Sequence, residues 1–261
     1  MKGIIGAISG DIIGSTREFH PIKTKDFNLF EGGSCFTDDT IMTLAVANWL
    51  LEDKSSKDVL IRNLKVFGNK YPNAGYGARF LDWLFQESPE AYGSWANGSA
   101  MRVSPCAWVA DSLDEAQDLA KTSAIVTHNH PDAVNGALAT CDAIYLARVG
   151  AKKDEIRNHV EVRYGYDLSV SLDEIRPSYK FDVSCRGSVP ESIICFLEAE
   201  DFENTIRNAV SLGGDADTQA AIAGSIASAY WEIPKNISFK AIHHLDYFLL
   251  EVLIDFEETF M

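Results

Sequence analysis

The sequence predicts an all-α fold, a compact orthogonal multi-helix bundle, and three observations carry that expectation. Apolar residues recur at three- and four-residue spacing almost from end to end. Helix-start and helix-stop residues bracket most of those stretches. No two alternating, turn-flanked segments stand out as paired strands. The 261 residues are 46% hydrophobic and 23% charged, enough for one large core, so a single domain over 1–261 built from roughly ten helices is expected.

The opening stretch, MKGIIGAISGDIIGS, is apolar but interrupted by Asp11 and preceded only by Lys2. It lacks the long apolar run and small-residue cleavage site of a signal peptide, and reads as a core helix. Residues 38–53 follow Thr37, a fitting N-cap, and repeat apolar residues on one helical face. Tyr71-Pro72-Asn73-Ala74-Gly75-Tyr76-Gly77 reads as a cleft loop without an assigned role. Residues 112–126 open with Ser112 and Glu115 at capping-box spacing. A helix over 129–150 stops at Gly150, and one over 201–214 stops at the Gly213-Gly214 pair. Residues 163–191, with two prolines, read as one long packed loop containing a short strand near Val183. The last pattern, 239–258, reads as one helix rich in leucines and aromatics.

Charge narrows the function. Twenty-three lysines and arginines against 38 aspartates and glutamates give a formal charge of −15. Such a surface repels phosphate backbones, so neither direct nucleic-acid binding nor attraction to anionic membranes is expected. No stretch reaches the ~18 uninterrupted apolar residues of a membrane span. Five cysteines without CxxC spacing and no secretory signal point to reduced thiols and a cytoplasmic location. A binder of an anionic nucleotide on this background needs short-range help from helix N-termini, arginines or metal ions.

Two acidic motifs offer that help. Phe36-Thr37-Asp38-Asp39-Thr40 and Gly213-Gly214-Asp215-Ala216-Asp217-Thr218 each place two aspartates and a threonine at a helix mouth. Capping alone explains either one, since carboxylates in a first turn gain ~0.3–1 kcal/mol from the helix dipole. Two such mouths, backed by apolar or small-residue helices, bring four carboxylates together and demand counter-charge. Every candidate donor is an oxygen, which suits magnesium or manganese better than zinc. Behind the second motif, Ala220, Ala221, Ala223, Gly224, Ser225, Ala227, Ser228 and Ala229 let neighbouring helices approach closely.

These motifs, with Gly10-Asp11-Ile12-Ile13-Gly14 and Glu18 before them and Asn97-Gly98-Ser99-Ala100-Met101-Arg102 between them, resemble the ADP-ribosylglycohydrolase family in order and over nearly the whole chain. The resemblance implies an all-α fold with a central binuclear metal cleft, two divalent cations (Mg2+ or Mn2+), and hydrolysis of the bond between ADP-ribose and a modified acceptor. Thr37, Asp38, Asp39, Asp215, Asp217 and Thr218 would hold the ions. Asp38 would serve catalysis, with Glu18, on the family's precedent, as an acid/base or metal-touching carboxylate. Trp95 would cover a base or simply pack. Asn97, Gly98 and Ser99 would face ribose and pyrophosphate. Arg102 would contact phosphate or, the default, form an internal ion pair, and His128 would lie near the substrate or cap a helix end. Gln219 after the second motif, and Trp231-Glu232 before Ile233-Pro234, depart from the usual pattern and bear on substrate choice. The partner would be an ADP-ribosylated protein or small molecule, within a system that includes a cognate ADP-ribosyltransferase. A catalytically silent ADP-ribose binder on the same fold is the main alternative, although no ligand residue is lost. A generic two-metal phosphoesterase, yielding AMP instead of ADP-ribose, is the other.

Overall fold

The computed structural model describes residues 2–261. Among them fifteen helices follow one another: α1 (Ile5–Gly14), α2 (Asp38–Asp53), α3 (Lys57–Lys70), α4 (Ala78–Phe85), α5 (Gly98–Met101), α6 (Ser104–Val109), α7 (Leu113–Ile125), α8 (Pro131–Arg148), α9 (Lys153–Tyr164), α10 (Leu172–Ile175), α11 (Cys185–Leu197), α12 (Phe202–Val210), α13 (Ala216–Tyr230), α14 (Lys235–His244) and α15 (Tyr247–Phe260). The described residues contain no sheet, only a single antiparallel bridge between Ala96 and Ser184. The all-α expectation holds.

The core is organised around α13, which is buried along its length up to Ala229 and contacts α1, α8, α11 and α12. Its partner α1 is buried at every residue. The two helices run antiparallel with their backbones touching, for a reason written in both. Gly6, Gly10 and Gly14 recur every fourth residue on α1, and Ala216, Ala220, Gly224 and Ser228 recur every fourth on α13. A Cβ at Gly6 would stand 2.3 Å from Ser228, one at Gly10 2.0 Å from the Ala220 carbonyl oxygen, and one at Gly14 2.4 Å from the Ala216 carbonyl oxygen. Spacing of four keeps each set on one face, and the absent side chains bring the end of α1 against the mouth of α13.

Most expected helices stand within one or two residues of their sequence signals. Gly150 (φ +88°) and Gly213 (φ +64°) lie in the left-handed region that favours glycine, just past α8 and α12. Two expectations need correction. The pattern over 239–258 is not one helix: α14 ends at His244 and α15 begins after Asp246, whose carboxylate caps it by accepting the Leu249 N–H at 3.1 Å. The cap divides a periodicity that would otherwise continue. The stretch 163–191 is not one loop either. It contains α10 and the first two turns of α11, which Ser184 caps by accepting the Gly187 N–H at 3.0 Å. Pro190 sits inside that helix, which is why the sequence reads as broken. The short strand expected near Val183 is reduced to the Ala96–Ser184 bridge.

Candidate metal centre and substrate cleft

The first acidic motif is presented by a residue of another helix. Asp11, fully buried in α1, accepts hydrogen bonds from the N–H (2.9 Å) and hydroxyl (2.7 Å) of Thr37, and from the N–H (3.1 Å) and hydroxyl of Thr40. Four donors hold one carboxylate against the first turn of α2. Thr37 also caps α2, its hydroxyl oxygen accepting the Asp39 N–H at 3.3 Å. The loop before α4 packs on the same turn. Asp38 donates its N–H to the Ala74 carbonyl at 2.9 Å, and Gly75 (φ +103°) passes so close that a Cβ there would lie 3.2 Å from Asp38 Oδ1. This gives the 71–77 loop a position, against Asp38.

The second motif faces the first. Asp215 is the N-cap residue of α13, yet its side chain caps nothing. Instead Asp215 accepts a hydrogen bond from Asn97 Nδ2 at 2.8 Å. Asp217 Oδ1 accepts the Thr218 N–H at 3.0 Å, and the Thr218 hydroxyl donates to Asp39 Oδ2 at 3.2 Å, bridging the motifs. Carboxylate oxygens of Glu18, Asp215 and Asp217 lie within 4.8 Å of one another. Glu18 arrives on the long connection 15–37. Ion pairing of Arg17 with Glu31 and donation from Lys23 to the Leu212 and Tyr179 carbonyls hold that segment down.

Asp11, Asp39, Asp215 and Asp217 are all buried, and every ion pair among the described residues lies elsewhere. Burial, then the neighbouring carboxylates, holds Asp38, Asp39 and Asp217 well above the usual carboxylate range. Burial likewise pushes Asp215 to about 6 despite its Asn97 hydrogen bond. Glu18 rises to about 8, first through burial and then through Asp217 and Asp11. Asp39 Oδ1 is buried without a hydrogen-bond partner. An orphaned carboxylate oxygen inside an oxygen-only, cation-free cluster fits hard divalent cations.

Around this cluster opens a cleft of about 470 Å³, within the usual range for small-molecule sites. Trp95 stands at its rim, 47% exposed. Asn97 is buried beside Asp215, and its N–H donates to the Val183 carbonyl at 2.8 Å. Gly98 lets His128 close in: a Cβ there would lie 3.0 Å from His128 Nε2. Burial, then Arg102 and Arg79, lowers His128 well below its ordinary range, so the imidazole is neutral. It shares a 2.7 Å hydrogen bond with the Thr127 hydroxyl through Nδ1.

Two expectations change at this end. The Ser99 side chain does not face the cleft; its hydroxyl donates to the Ala133 carbonyl at 2.9 Å. Arg102 forms no internal ion pair. It is buried and donates to the Ser123 carbonyl (2.7 Å) and the Thr127 hydroxyl (2.8 Å), while Nε has no partner. Burial lowers its pKa to about 10, so it stays charged.

Sequence reasoning gave several of these residues no role. Asp11 was visible as the one charge in an apolar helix, a pattern that marks a buried, partnered acid. Arg79 and Tyr92, the guanidinium 4.9 Å from the ring centroid, line the cleft but carry no sequence signal. Phe19 and Phe181, at the cleft mouth, are ordinary loop residues in the sequence.

Comparison with known proteins bears on the family and the fold. A model of the family described as ADP-ribosylglycohydrolase matches residues 1–255. The ADP-ribosylhydrolase ARH3 of Mus musculus is 26% identical over 314 aligned positions, covering 89% of this chain and 84% of its own. The ADP-ribosylarginine hydrolase Tri1 of Pseudomonas putida is 28% identical over 261 positions, covering 88% and 70%. A solved structure titled ADP-ribosylglycohydrolase-related protein complex superposes with a TM-score of 0.75 at 23% identity, over 99% of this chain and 96% of the other.

Proposed function

The chain belongs to the ADP-ribosylglycohydrolase family, and we propose from that premise that it cleaves the glycosidic bond between ADP-ribose and a modified protein or small molecule, using two divalent cations, Mg2+ or Mn2+. The observation that carries the metal assignment is the buried carboxylate cluster with no cationic side chain in ion-pair contact. Asp38, Asp39, Asp215, Asp217 and Thr218 would hold the ions, with Thr37 setting the turn that presents the first two. Bound there, divalent cations supply charge neutralisation and Lewis acidity toward ribose hydroxyls and water.

The chain's own groups do the rest. Asp11 fixes the start of α2, so Asp38 and Asp39 are presented on a rigid turn. Asn97 fixes Asp215 and lies beside Gly98, where His128 and the neighbouring backbone form the wall for the ribose and pyrophosphate. Arg102 supplies positive charge behind that wall, and Trp95 offers a ring at the rim for the base. In the reaction, water adds to the anomeric carbon, the bond to the acceptor breaks, and a proton reaches the leaving atom. Glu18, which borders both the cluster and the cleft, is the group placed to accept or return that proton.

Among the described residues no helix is long and apolar enough to cross a membrane. We place the enzyme in the cytoplasm as a single domain over 1–261, acting opposite a cognate ADP-ribosyltransferase. The test is direct: incubate ADP-ribosylated peptides with the protein and Mg2+ or Mn2+, and identify the product. Free ADP-ribose supports this reading. AMP would favour a phosphoesterase, and tight ADP-ribose binding without turnover would favour a silent binder.

A further inference from the structure

A second hollow, of about 600 Å³, adjoins the cleft at Glu18 and Phe181, the two residues that line both. From there it continues past Pro21, Lys23, Tyr179 and Lys180 to the turn at Gly213 and Gly214. None of Trp95, Asn97, Gly98 and His128, which face the ADP-ribose in the reading above, lines it. The hollow is thus reached from the cleft past Glu18, the group placed to exchange a proton with the leaving atom. What lies beyond that group is the acceptor, and the volume is more than one amino-acid residue fills.

The walls of the hollow are fixed in place. Lys23 donates to the Tyr179 carbonyl at 2.6 Å and to the Leu212 carbonyl, tying the segment after Glu18 to the segment before Phe181 and to the turn ahead of α13. The Tyr179 hydroxyl donates to the Gly187 carbonyl and accepts from Gln219 Nε2 at 3.0 Å, so Gln219, one of the departures from the family pattern, holds this wall. Walls already in position leave less ordering cost to binding. Three charged residues line the hollow, Glu18, Lys23 and Lys180. Glu18 lies with Asp215 and Asp217, and the Lys23 ammonium is taken by the two carbonyls. Lys180 is exposed and, among the described residues, makes no hydrogen bond or ion pair. The acid nearest to it in sequence, Asp182, accepts the Ser184 N–H at 2.8 Å and does not line the hollow. On a chain of formal charge −15, this leaves one free ammonium on the acceptor side, and its complement is a carboxylate.

We propose that this hollow is a subsite for the acceptor polypeptide, taking the residues next to the modified one, and that Lys180 pairs there with an aspartate or glutamate of that flank. The proposal rests on the glycohydrolase reading of the adjoining cleft and is independent of which side chain carries the ADP-ribose. No bond is made or broken in the hollow. Its contribution is to the binding of one peptide over another.

The experiment uses peptides of one length that carry ADP-ribose on a central arginine or a central serine, flanked on both sides by aspartates, alanines or lysines. For whichever linkage is cleaved, kcat/KM is compared across the three flanks in the wild type, Lys180→Ala and Lys180→Glu. In the wild type the aspartate flank should exceed the alanine flank by about threefold to fivefold through KM, the scale of one partly exposed ion pair, and the difference should fade with added salt. Lys180→Ala should remove the preference, and Lys180→Glu should reverse it in favour of lysine flanks. Because the hollow lies outside the part of the cleft that takes ADP-ribose, the calorimetric Kd for ADP-ribose should stay within about twofold in both variants. Equal kcat/KM for the three flanks in the wild type, or an order of preference that survives in Lys180→Glu, overturns the subsite and leaves the glycohydrolase reading intact. An equal loss on all three peptides in Lys180→Glu overturns it as well. No ADP-ribose released from any peptide overturns the glycohydrolase reading and this assignment with it.

Discussion

Gly10 of α1 rests against Ala220 of α13 so closely that a Cβ would stand 2.0 Å from the Ala220 carbonyl oxygen. The obstacle is backbone, so no side-chain rotation relieves it. Gly10→Ala should destabilise the protein by at least ~3 kcal/mol, the upper end of overpacking penalties, and weaken metal binding by shifting Asp11 and Asp217 apart. Gly32→Ala, with nothing within 4 Å of its Cβ, should lie within about 0.5 kcal/mol of the wild type. Urea titrations of both variants check this. A Gly10→Ala variant as stable as Gly32→Ala would mean the helices are not in backbone contact.

Folding and chemistry should separate at the carboxylates. Burial, and after it the neighbouring carboxylates, hold Asp38 and Asp217 well above the usual range. Removing one negative charge therefore relieves repulsion in the metal-free protein while removing a donor from the ion site. Asp38→Asn and Asp217→Asn should each abolish turnover, with thermal stability in chelator unchanged or higher. Near wild-type rates in Mg2+ or Mn2+ buffer would remove these residues from the mechanism.

Metal and ADP-ribose should tighten each other's binding. A formal charge of −15 repels an anionic ligand, and screening over ~8 Å at physiological salt leaves attraction to short range. Chelation with EDTA should inactivate the protein, and magnesium or manganese should restore it. Calorimetry should show ADP-ribose bound at least roughly tenfold tighter with metal, and metal tighter with ADP-ribose by the same factor, since linkage is reciprocal. ADP, which lacks the distal ribose, should show little metal dependence. Equal ADP-ribose affinity with and without metal would contradict the assigned geometry.

These predictions differ in how far the sequence alone reaches them. The helices were legible because periodicity and capping are local, and because glycine every fourth residue on α1 is matched by small residues every fourth on α13. The acidic motifs were legible as strings. Their joining was not, because the Asn97–Asp215 and Thr218–Asp39 hydrogen bonds span 118 and 179 residues. Asp215 and Thr37 look alike as helix starters, yet only Thr37 caps. Which competing partner a side chain takes depends on what the fold brings near it, here Asn97. For the same reason the absence of a carboxylate beside Arg102 could not be read in advance. Phe19 and Phe181 lie on loops, where no periodicity marks an exposed aromatic as a site residue.

Glu191 provides a pH test at a carboxyl that is not among the assigned metal ligands. It lies on α11, and burial, with Asp182 adding to it, pushes its carboxyl up to about 7; its Oε2 is buried without a partner. The folded protein therefore keeps a proton that the unfolded chain releases near its ordinary value of 4.5. Where the native state binds more protons, stability falls as pH rises. The contribution from protonated Glu191 is thus fully present below about 4.5 and is lost as pH climbs through about 7. Glu191→Gln mimics the protonated form at every pH. Its stability relative to the wild type should be nearly level at pH 4.5 and rise to a gain of about 1–2 kcal/mol by pH 8, after discounting for partial exposure. Taking the difference between variant and wild type at each pH cancels the titrations that the substitution leaves unchanged. A gain that is constant across this range, or that shrinks as pH rises, would show that Glu191 is ionised in the folded protein.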